Sequence, residues 1–116
     1  MRSDALVSLS LLPTAEGGFR SSIPVGVFHG VMMFDDKQGY DFRSDIEEPI
    51  EPGSTRSLKV AFLSPDEVLP LLCAGASFNV WAGRVVGQGR IIESLRLRQE
   101  HRSAASEALT RAVDDN

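Results

Sequence analysis

The side chains that perform most enzymatic chemistry are few and widely separated in this sequence. Its two histidines, His29 and His101, and its one cysteine, Cys73, do not have the spacing of metal ligands. No serine lies in the Gly-x-Ser-x-Gly turn that presents a hydrolase nucleophile. The adjacent acids Glu47 and Glu48 fall in a predicted loop, where solvation is a simpler interpretation than an acid–base pair. We therefore expect a protein that is not an enzyme and that holds neither a metal nor a cofactor.

A tight turn predicted near position 83 carries a more informative group of residues. Trp81 alternates with the apolar residues before it, so its side chain is expected to face outward beside the turn. Exposed tryptophans commonly anchor protein partners. The alternative is a Trp81 ring that lies flat over its own domain or under the C-terminal segment. Gly83, Arg84 and His29 complete the candidate binding residues.

Two glycine-rich segments have a superficial likeness to ligand-binding loops. Glu16-Gly-Gly18 has backbone amides that an anion could bind, but Arg20 is the only base nearby, and a plain turn is favoured. Gly87-Gln-Gly89 lies inside a predicted strand with no helix opening after it, unlike a dinucleotide-binding fingerprint. Close packing between strands is the favoured reason for its glycines.

The composition indicates one small globular domain. A chain of 116 residues has room for one core and a short appendage, and its 42% hydrophobic and 24% charged content is typical of soluble proteins. The lone cysteine excludes an internal disulfide, and the apolar neighbours of Cys73 predict that it is buried. Residues 5–12 are too few and too polar for a secretory signal, and no stretch is long enough for a membrane helix. A cytoplasmic protein without membrane contact is expected.

Charge argues against nucleic acid as a partner. The formal net charge is −4, and residues 35–51 alone contain seven acids and two bases, a local net charge of −5. Nucleic-acid-binding proteins instead display clustered lysines and arginines, which displace counterions from phosphates. The acidic segment would repel a phosphate backbone, so RNA or tRNA is a disfavoured partner.

Alternation of apolar and polar residues with period two predicts strands through the first 93 residues. In the clearest strand, Leu58, Val60 and Phe62 are expected to face inward, and Lys59 and Ala61 outward. The six predicted strands are 6–11, 25–34, 40–43, 57–63, 77–81 and 85–92. Six strands joined by Gly/Pro turns predict an all-β fold, a six-stranded antiparallel closed β-barrel, which removes exposed strand edges.

Two helices are also expected. Ser64 as N-cap, Pro65 at the first helical position and Glu67 at capping-box spacing predict a helix of one or two turns. Residues 96–116 are rich in Arg, Glu, Gln and Ala, with a thin stripe of apolar or small residues. This composition predicts a C-terminal α-helix that needs a surface to dock on. The chain therefore divides into a barrel, 1–95, and a C-terminal helical tail, 96–116.

Five landmarks occur in a fixed order along the barrel. They are Glu16-Gly-Gly18, Pro24 before a glycine-containing strand, Ile50-Glu-Pro-Gly53, Pro65 with Gly75, and Gly83-Arg-Val-Val-Gly-Gln-Gly89. Together they resemble the third, C-terminal β-barrel domain of translation elongation factor Tu, over about residues 7–95. The resemblance implies a closed β-barrel, here as a stand-alone protein.

The chain departs from that family where the family binds nucleotides. It has no Gly-x-x-x-x-Gly-Lys-Ser/Thr loop, so GTP binding is not expected. In the family, an acidic residue and glycine amides in the turn before the last strand touch the tRNA backbone. Trp81 and Ala82 occupy those positions here, although Gly83 and Arg84 keep the pattern. The resemblance therefore implies the fold rather than tRNA binding.

The expected function follows from the surface that a stand-alone barrel exposes. In elongation factor Tu, neighbouring domains partly cover this barrel, so an isolated copy must make that surface polar, cover it or bury it in a partner. Apolar side chains on both strand faces at 31–34 and 91–92 favour covering. We expect a non-enzymatic module that binds a protein partner, as a homodimer or as a monomer with a docked tail. The alternative is a translation-associated RNA-binding protein.

Overall fold

The computed structural model of the chain describes residues 3–35 and 38–95. This part forms a closed barrel of six antiparallel strands, which confirms the predicted all-β architecture. The strands are β1 (Ala5–Leu11), β2 (Gly26–Met33), β3 (Gly39–Ile46), β4 (Thr55–Phe62), β5 (Ser77–Trp81) and β6 (Val85–Ser94). The predicted C-terminal helix, and with it the tail 96–116, lies outside the described residues.

The strands follow the order β1-β4-β3-β2-β5-β6 around the barrel, and β6 pairs with β1 to close it. β2 and β3 form one antiparallel hairpin, and β5 and β6 form another. β1 lies between β4 and β6 and pairs with both along nearly its whole length. The first strand is therefore the seam at which the last strand completes the barrel.

Alternation on the strands directs apolar side chains into the barrel. On β1, Ala5, Val7, Leu9 and Leu11 are buried and the residues between them are partly exposed, in keeping with the period of two. Aromatic rings from four strands and two adjoining loops contact one another; the pairs are Phe19–Phe28, Phe28–Phe42, Phe42–Phe62, Phe34–Tyr40 and Phe34–Phe78. Side chains thus fill the interior, as expected for a barrel of few strands.

One residue of β4 departs from the predicted alternation. Leu58, Val60 and Phe62 face inward as expected, but Ala61, which was predicted to face outward, is buried as well. Ala61 lies opposite Arg43 in the β3–β4 ladder. Its methyl group is short, so it can lie on the outward side of the strand and still be covered by longer neighbouring side chains.

The glycines of β6 allow this strand to approach β1 closely. A Cβ atom at Gly89 would collide with the carbonyl oxygen of Ser8 and would lie 2.7 Å from Cζ of Phe78. A Cβ atom at Gly87 would lie 2.9 Å from the carbonyl oxygen of Ser10. These contacts confirm that both glycines serve strand packing, as expected for glycine inside a strand.

A short helix, α1 (Pro65–Val68), follows β4 and continues as a 3-10 turn over Leu69–Leu71. It begins after Ser64 with Pro65 at its start, as predicted. The Ser64 side chain does not make the predicted capping hydrogen bond. The Glu67 N–H donates instead to the Ser64 carbonyl oxygen at 3.2 Å.

The prediction that Cys73 is buried is wrong: this residue is exposed. Val68 and Leu72, four positions apart, already occupy the core-facing side of this segment. Cys73 follows in a bend in which its N–H donates to the Leu71 carbonyl oxygen at 2.9 Å. Its apolar neighbours in the sequence therefore enter the core while its own side chain turns away.

Asp4 ties the start of β1 to two other strands. Its buried carboxylate accepts a hydrogen bond from the Phe62 N–H through Oδ2, at 2.8 Å. Its backbone N–H donates to the Val60 carbonyl oxygen at 2.8 Å, and its carbonyl oxygen accepts from the Leu95 N–H at 2.9 Å. These bonds fix both sides of the closing seam at one end of the barrel.

Candidate interaction surface

A row of apolar side chains lies on the outside of the barrel at the end of β5. Trp81, the last residue of β5, faces outward and is 43% exposed. It lies opposite Val31 of β2 on one side and opposite Val85 of β6 on the other. Residues directly opposite each other in an antiparallel ladder share a face, so the three side chains form a continuous row. We call Val31, Trp81 and Val85 the Trp81 surface.

A β-bulge in β6 explains why Val85 shares this face. Val80 pairs with Gly87, but the next residue, Trp81, pairs with Val85, so β6 contains one extra residue. The extra residue, Val86, is buried, whereas Val85 is 44% exposed. The bulge therefore places a second apolar side chain beside Trp81 without removing one from the core.

The turn between β5 and β6 sets the end of the Trp81 surface. Gly83 has φ of +81°, a left-handed conformation that residues with a Cβ rarely adopt. The turn is closed by a hydrogen bond from the Ala82 N–H to the Arg84 carbonyl oxygen at 2.9 Å. Gly83 thus has a structural role that accounts for its presence without a ligand.

Arg84 is directed to a loop of its own chain. Its Nε donates to the Gly17 carbonyl oxygen at 2.7 Å, and its Nη2 donates to the Gly18 carbonyl oxygen at 3.0 Å. The guanidinium therefore fixes the β5–β6 turn against the loop after β1. Two of its donors are already used, so Arg84 is a poorer partner contact than its position in the sequence suggests.

The same loop does not offer an anion site. The N–H of Gly17 donates to the Thr14 carbonyl oxygen at 3.2 Å, and the N–H groups of Glu16 and Gly18 donate to the Pro13 carbonyl oxygen at 2.9 and 3.0 Å. All three amides are satisfied within a 3-10 turn, Thr14–Glu16, and its cap. The plain-turn interpretation of Glu16-Gly-Gly18 is therefore confirmed.

His29 lies on the same outer face as Trp81. It is an exposed residue of β2, two positions before Val31, and it pairs with Arg43 of β3. Because Val31 lies opposite Trp81, His29 is a diagonal neighbour of Trp81. Diagonal neighbours lie about 7–8 Å apart, within reach of long side chains. His29 and Arg43 also line a shallow groove of about 400 Å³ that Leu63 borders. The structure thus brings His29 and Trp81 to one face, while Arg84 turns away from it.

Three exposed apolar residues enlarge this face and were not predicted. Val25, just before β2, and Val27, near its start, are 61% and 56% exposed, and Leu63, just after β4, is exposed as well. Residues 25–34 are apolar at both odd and even positions, so alternation does not distinguish their two faces. Val25 and Val27 have odd numbers, as does His29, the only charged or strongly polar residue of β2. Since alternate residues of a strand share a face, the position of His29 could have marked the outward face.

On β3, charged residues lie beside the apolar face. Asp41 lies opposite Val31, and Asp45 lies opposite Val27, with Arg43 between them on the same strand. All three are exposed, and Glu47 follows in the next loop. The acidic segment expected from the sequence therefore borders the apolar face directly.

A second groove, which continues along β5 from the Trp81 surface, is mostly polar. It has a volume of about 370 Å³, crosses β1, β6 and β5, and reaches the end of β2 at Met33. Its outward-facing lining includes Ser8, Ser10, Ser77, Asn79, Gln88 and Arg90. Met33, Phe34 and Phe78 also line it, but its outward residues on β1, β5 and β6 are polar.

Other features of the described chain do not point to a different site. Among residues 3–35 and 38–95, no three His, Cys, Asp or Glu side chains are grouped closely enough to hold a metal ion. In the same part of the chain, no helix has the length and apolar character needed to cross a membrane. No protein-family model and no curated protein matches the sequence. The Trp81 surface is thus the feature on which a functional proposal rests.

Proposed function

We propose that this chain is a non-enzymatic protein-interaction module that binds a partner protein through the Trp81 surface. The observation that carries the proposal is the outward row of Val31, Trp81 and Val85, which spans three adjacent strands. Tryptophan is among the residues that contribute most to binding when they become buried in an interface. Contiguous exposed apolar patches on small proteins mark interaction sites more often than single exposed residues do.

The resemblance to the third domain of elongation factor Tu belongs to the same proposal. A barrel of that kind, separated from the domains that would cover it, has an outer face that a new partner can occupy. The setting we propose is the cytoplasm, where an exposed thiol such as Cys73 stays reduced. A protein partner suits the Trp81 surface better than RNA, because Asp41 lies opposite Val31 and the Arg84 guanidinium is engaged by the carbonyl oxygens of Gly17 and Gly18.

Ile92 provides a matched control for the test. It is 42% exposed, nearly the same as Trp81, and it lies at the opposite end of β6 from Val85. At about 3.4 Å per residue the two ends are roughly 20 Å apart. A partner that binds the Trp81 surface should therefore be insensitive to Ile92→Ala.

The experiment compares the wild-type chain with Trp81→Ala and Ile92→Ala. Partners captured from cell extract are identified by mass spectrometry, produced separately and titrated against each purified variant by calorimetry. We expect Trp81→Ala to weaken binding about 30-fold, the loss typical of a tryptophan at an interface centre, and Ile92→Ala to leave the Kd unchanged. Equal Kd values for all three chains would refute the proposal. Binding of tRNA at low salt that collapses as salt is added would replace it with the RNA-binding alternative.

A further inference from the structure

The first half of β2 has a strand neighbour on one side only. β3 pairs with β2 along its whole length, from Gly26 to Met33. On the other side, β5 pairs only with Val31, Met32 and Met33. β5 ends at Trp81, because the turn at Gly83 sends the chain back into β6. Residues 26–30 therefore extend past the end of β5, and within residues 3–35 and 38–95 no strand pairs with them there.

An unpaired strand edge presents hydrogen-bonding groups. Alternate residues of an antiparallel strand direct their N–H and C=O groups to opposite neighbours, so part of the backbone of 26–30 points to the open side. The start of this stretch is open to solvent, since Gly26 is exposed and the Val27 side chain is more than half exposed. A closed barrel normally removes such edges, which otherwise pair with other chains. This barrel retains one, beside the Trp81 surface.

We infer that this open edge of β2 accepts an extended basic segment of the partner protein as an added strand. The inference rests on the proposed function and specifies how the partner is held. Backbone hydrogen bonds to residues 26–30 would supply the pairing, and alternate side chains of the added strand would face outward beside Val27. The end of the added strand would meet Trp81, which stands where β5 stops.

Charge selects a basic segment as the occupant. On the outer face, Asp45 lies opposite Val27 and Asp41 lies opposite Val31, and Glu47 and Glu48 follow β3. Arg43 is the one basic residue of β3 on that face. Lysine or arginine side chains on the added strand would lie across β2 from these carboxylates, an arrangement that favours association and suppresses acidic partners.

The same charges disfavour a second copy of this chain as the occupant. Pairing of two β2 edges about a twofold axis would bring the two sets of β3 acids towards each other. Each copy has a formal net charge of −4, which adds to the repulsion. Self-association is therefore an outcome that the test must separate from strand addition.

The test uses a synthetic probe and the full-length chain. The probe is a capped peptide of about seven alternating lysine and valine residues, which is long enough to follow the exposed part of β2. Two further peptides carry N-methyl groups, one on the odd residues and one on the even residues. A fourth peptide replaces every lysine by glutamate. Binding is followed by NMR through the backbone amides of the ¹⁵N-labelled chain.

If the peptide adds to β2 as a strand, three results are expected. We expect the lysine–valine peptide to shift the amide signals of residues 26–30. One of the two N-methylated peptides should bind about 100-fold more weakly, because it lacks the hydrogen bonds to β2, and the other should bind normally. The glutamate peptide should bind about tenfold more weakly or worse.

Other results would overturn the inference. Equal binding of both N-methylated peptides would mean that side chains alone make the contact. Absence of shifts at about 1 mM peptide would mean that the edge does not pair. Concentration-dependent shifts of the same amides in the chain alone would make a second copy the occupant. None of these depends on Trp81→Ala, so the proposed function and the strand-addition inference fail separately.

Discussion

Two walls of this barrel differ in how completely their strands are paired. One wall consists of β1, β6 and β5, where β1 has a strand neighbour on each side for nearly its whole length. The other is formed by β2, where residues 26–30 have only β3 beside them among the described strands. The outward side chains of the two walls differ as well, since they are mainly polar on the first wall and mainly apolar on the second. We call the first the serine wall, with Ser8, Ser10, Ser77, Asn79 and Gln88. We call the second the valine wall, with Val27 and Val31 of β2, Val25 just before β2, and Trp81 at the end of β5, where the two walls meet.

The difference separates the part of the sequence that builds the barrel from the part that we propose binds a partner. On the serine wall, glycines bring β6 close to β1, and polar side chains face water. On the valine wall, apolar side chains and unpaired backbone groups are exposed together. Exposing either is unfavourable for an isolated domain, and a partner strand would cover both at once. Substitutions on the two walls should therefore affect different properties.

The largest expected effect is on the serine wall, at Gly89. The Cβ of Gly89→Ala would collide with the Ser8 carbonyl oxygen and the Phe78 ring, so β6 could not stay in place against β1. We expect the free energy of unfolding to fall by about 3 kcal/mol, at the upper end for overpacked sites. Urea denaturation measures it, with Gln88→Ala as the control on the adjacent exposed residue, where the change should stay within about 0.5 kcal/mol. A similar small loss for both variants would mean that the strands separate easily, and the contrast between the walls would disappear.

The sequence predicted the serine wall better than the valine wall, and the reason is local pattern. On β1, apolar and polar residues alternate from Val7 to Leu11, so the pattern alone predicts that Val7, Leu9 and Leu11 share one face and the serines the other. On β2 both faces are apolar, so the pattern predicts a strand but not its orientation. The exposed positions Val25 and Val27 could be recognised only once the barrel was closed.

The unpaired edge and the Arg84 contacts depend on partners that are remote in the sequence. The length of the β2–β5 ladder is set by where β5 ends relative to β2, about 50 positions earlier, and no local motif determines it. Arg84 binds carbonyl oxygens 66 and 67 positions away, in a loop whose own sequence shows only a turn. Tertiary contacts of this kind decide which candidate residues are free to contact a partner. Alternation of apolar and polar residues in the sequence does not contain that information.

An intermediate effect is expected where the β5–β6 turn is held at the edge of the valine wall. Arg84→Ala removes the two hydrogen bonds to Gly17 and Gly18. We expect a loss of about 1 kcal/mol, together with faster hydrogen exchange of the Gly17 and Gly18 amides. Arg84→Lys should not restore stability, because an ammonium group lacks the planar fork that reaches both carbonyl oxygens. Arg20→Ala, at an exposed position of the same loop, is the control; equal exchange rates in all variants would show that Arg84 does not hold the turn.

The smallest effect on stability is expected at the centre of the Trp81 surface itself. Trp81 faces outward in the β2–β5–β6 row and is 43% exposed, so Trp81→Ala should lower the free energy of unfolding by no more than about 1 kcal/mol. Urea denaturation gives the stability of this variant, and calorimetry gives its affinity for the partner. Together they distinguish a Trp81 ring that binds a partner from one that covers its own barrel. A binding residue loses affinity while the barrel keeps its stability. A loss near 3 kcal/mol, comparable to Gly89→Ala, would instead show that the ring covers its own barrel, and the valine wall would then be built for folding in the same way as the serine wall.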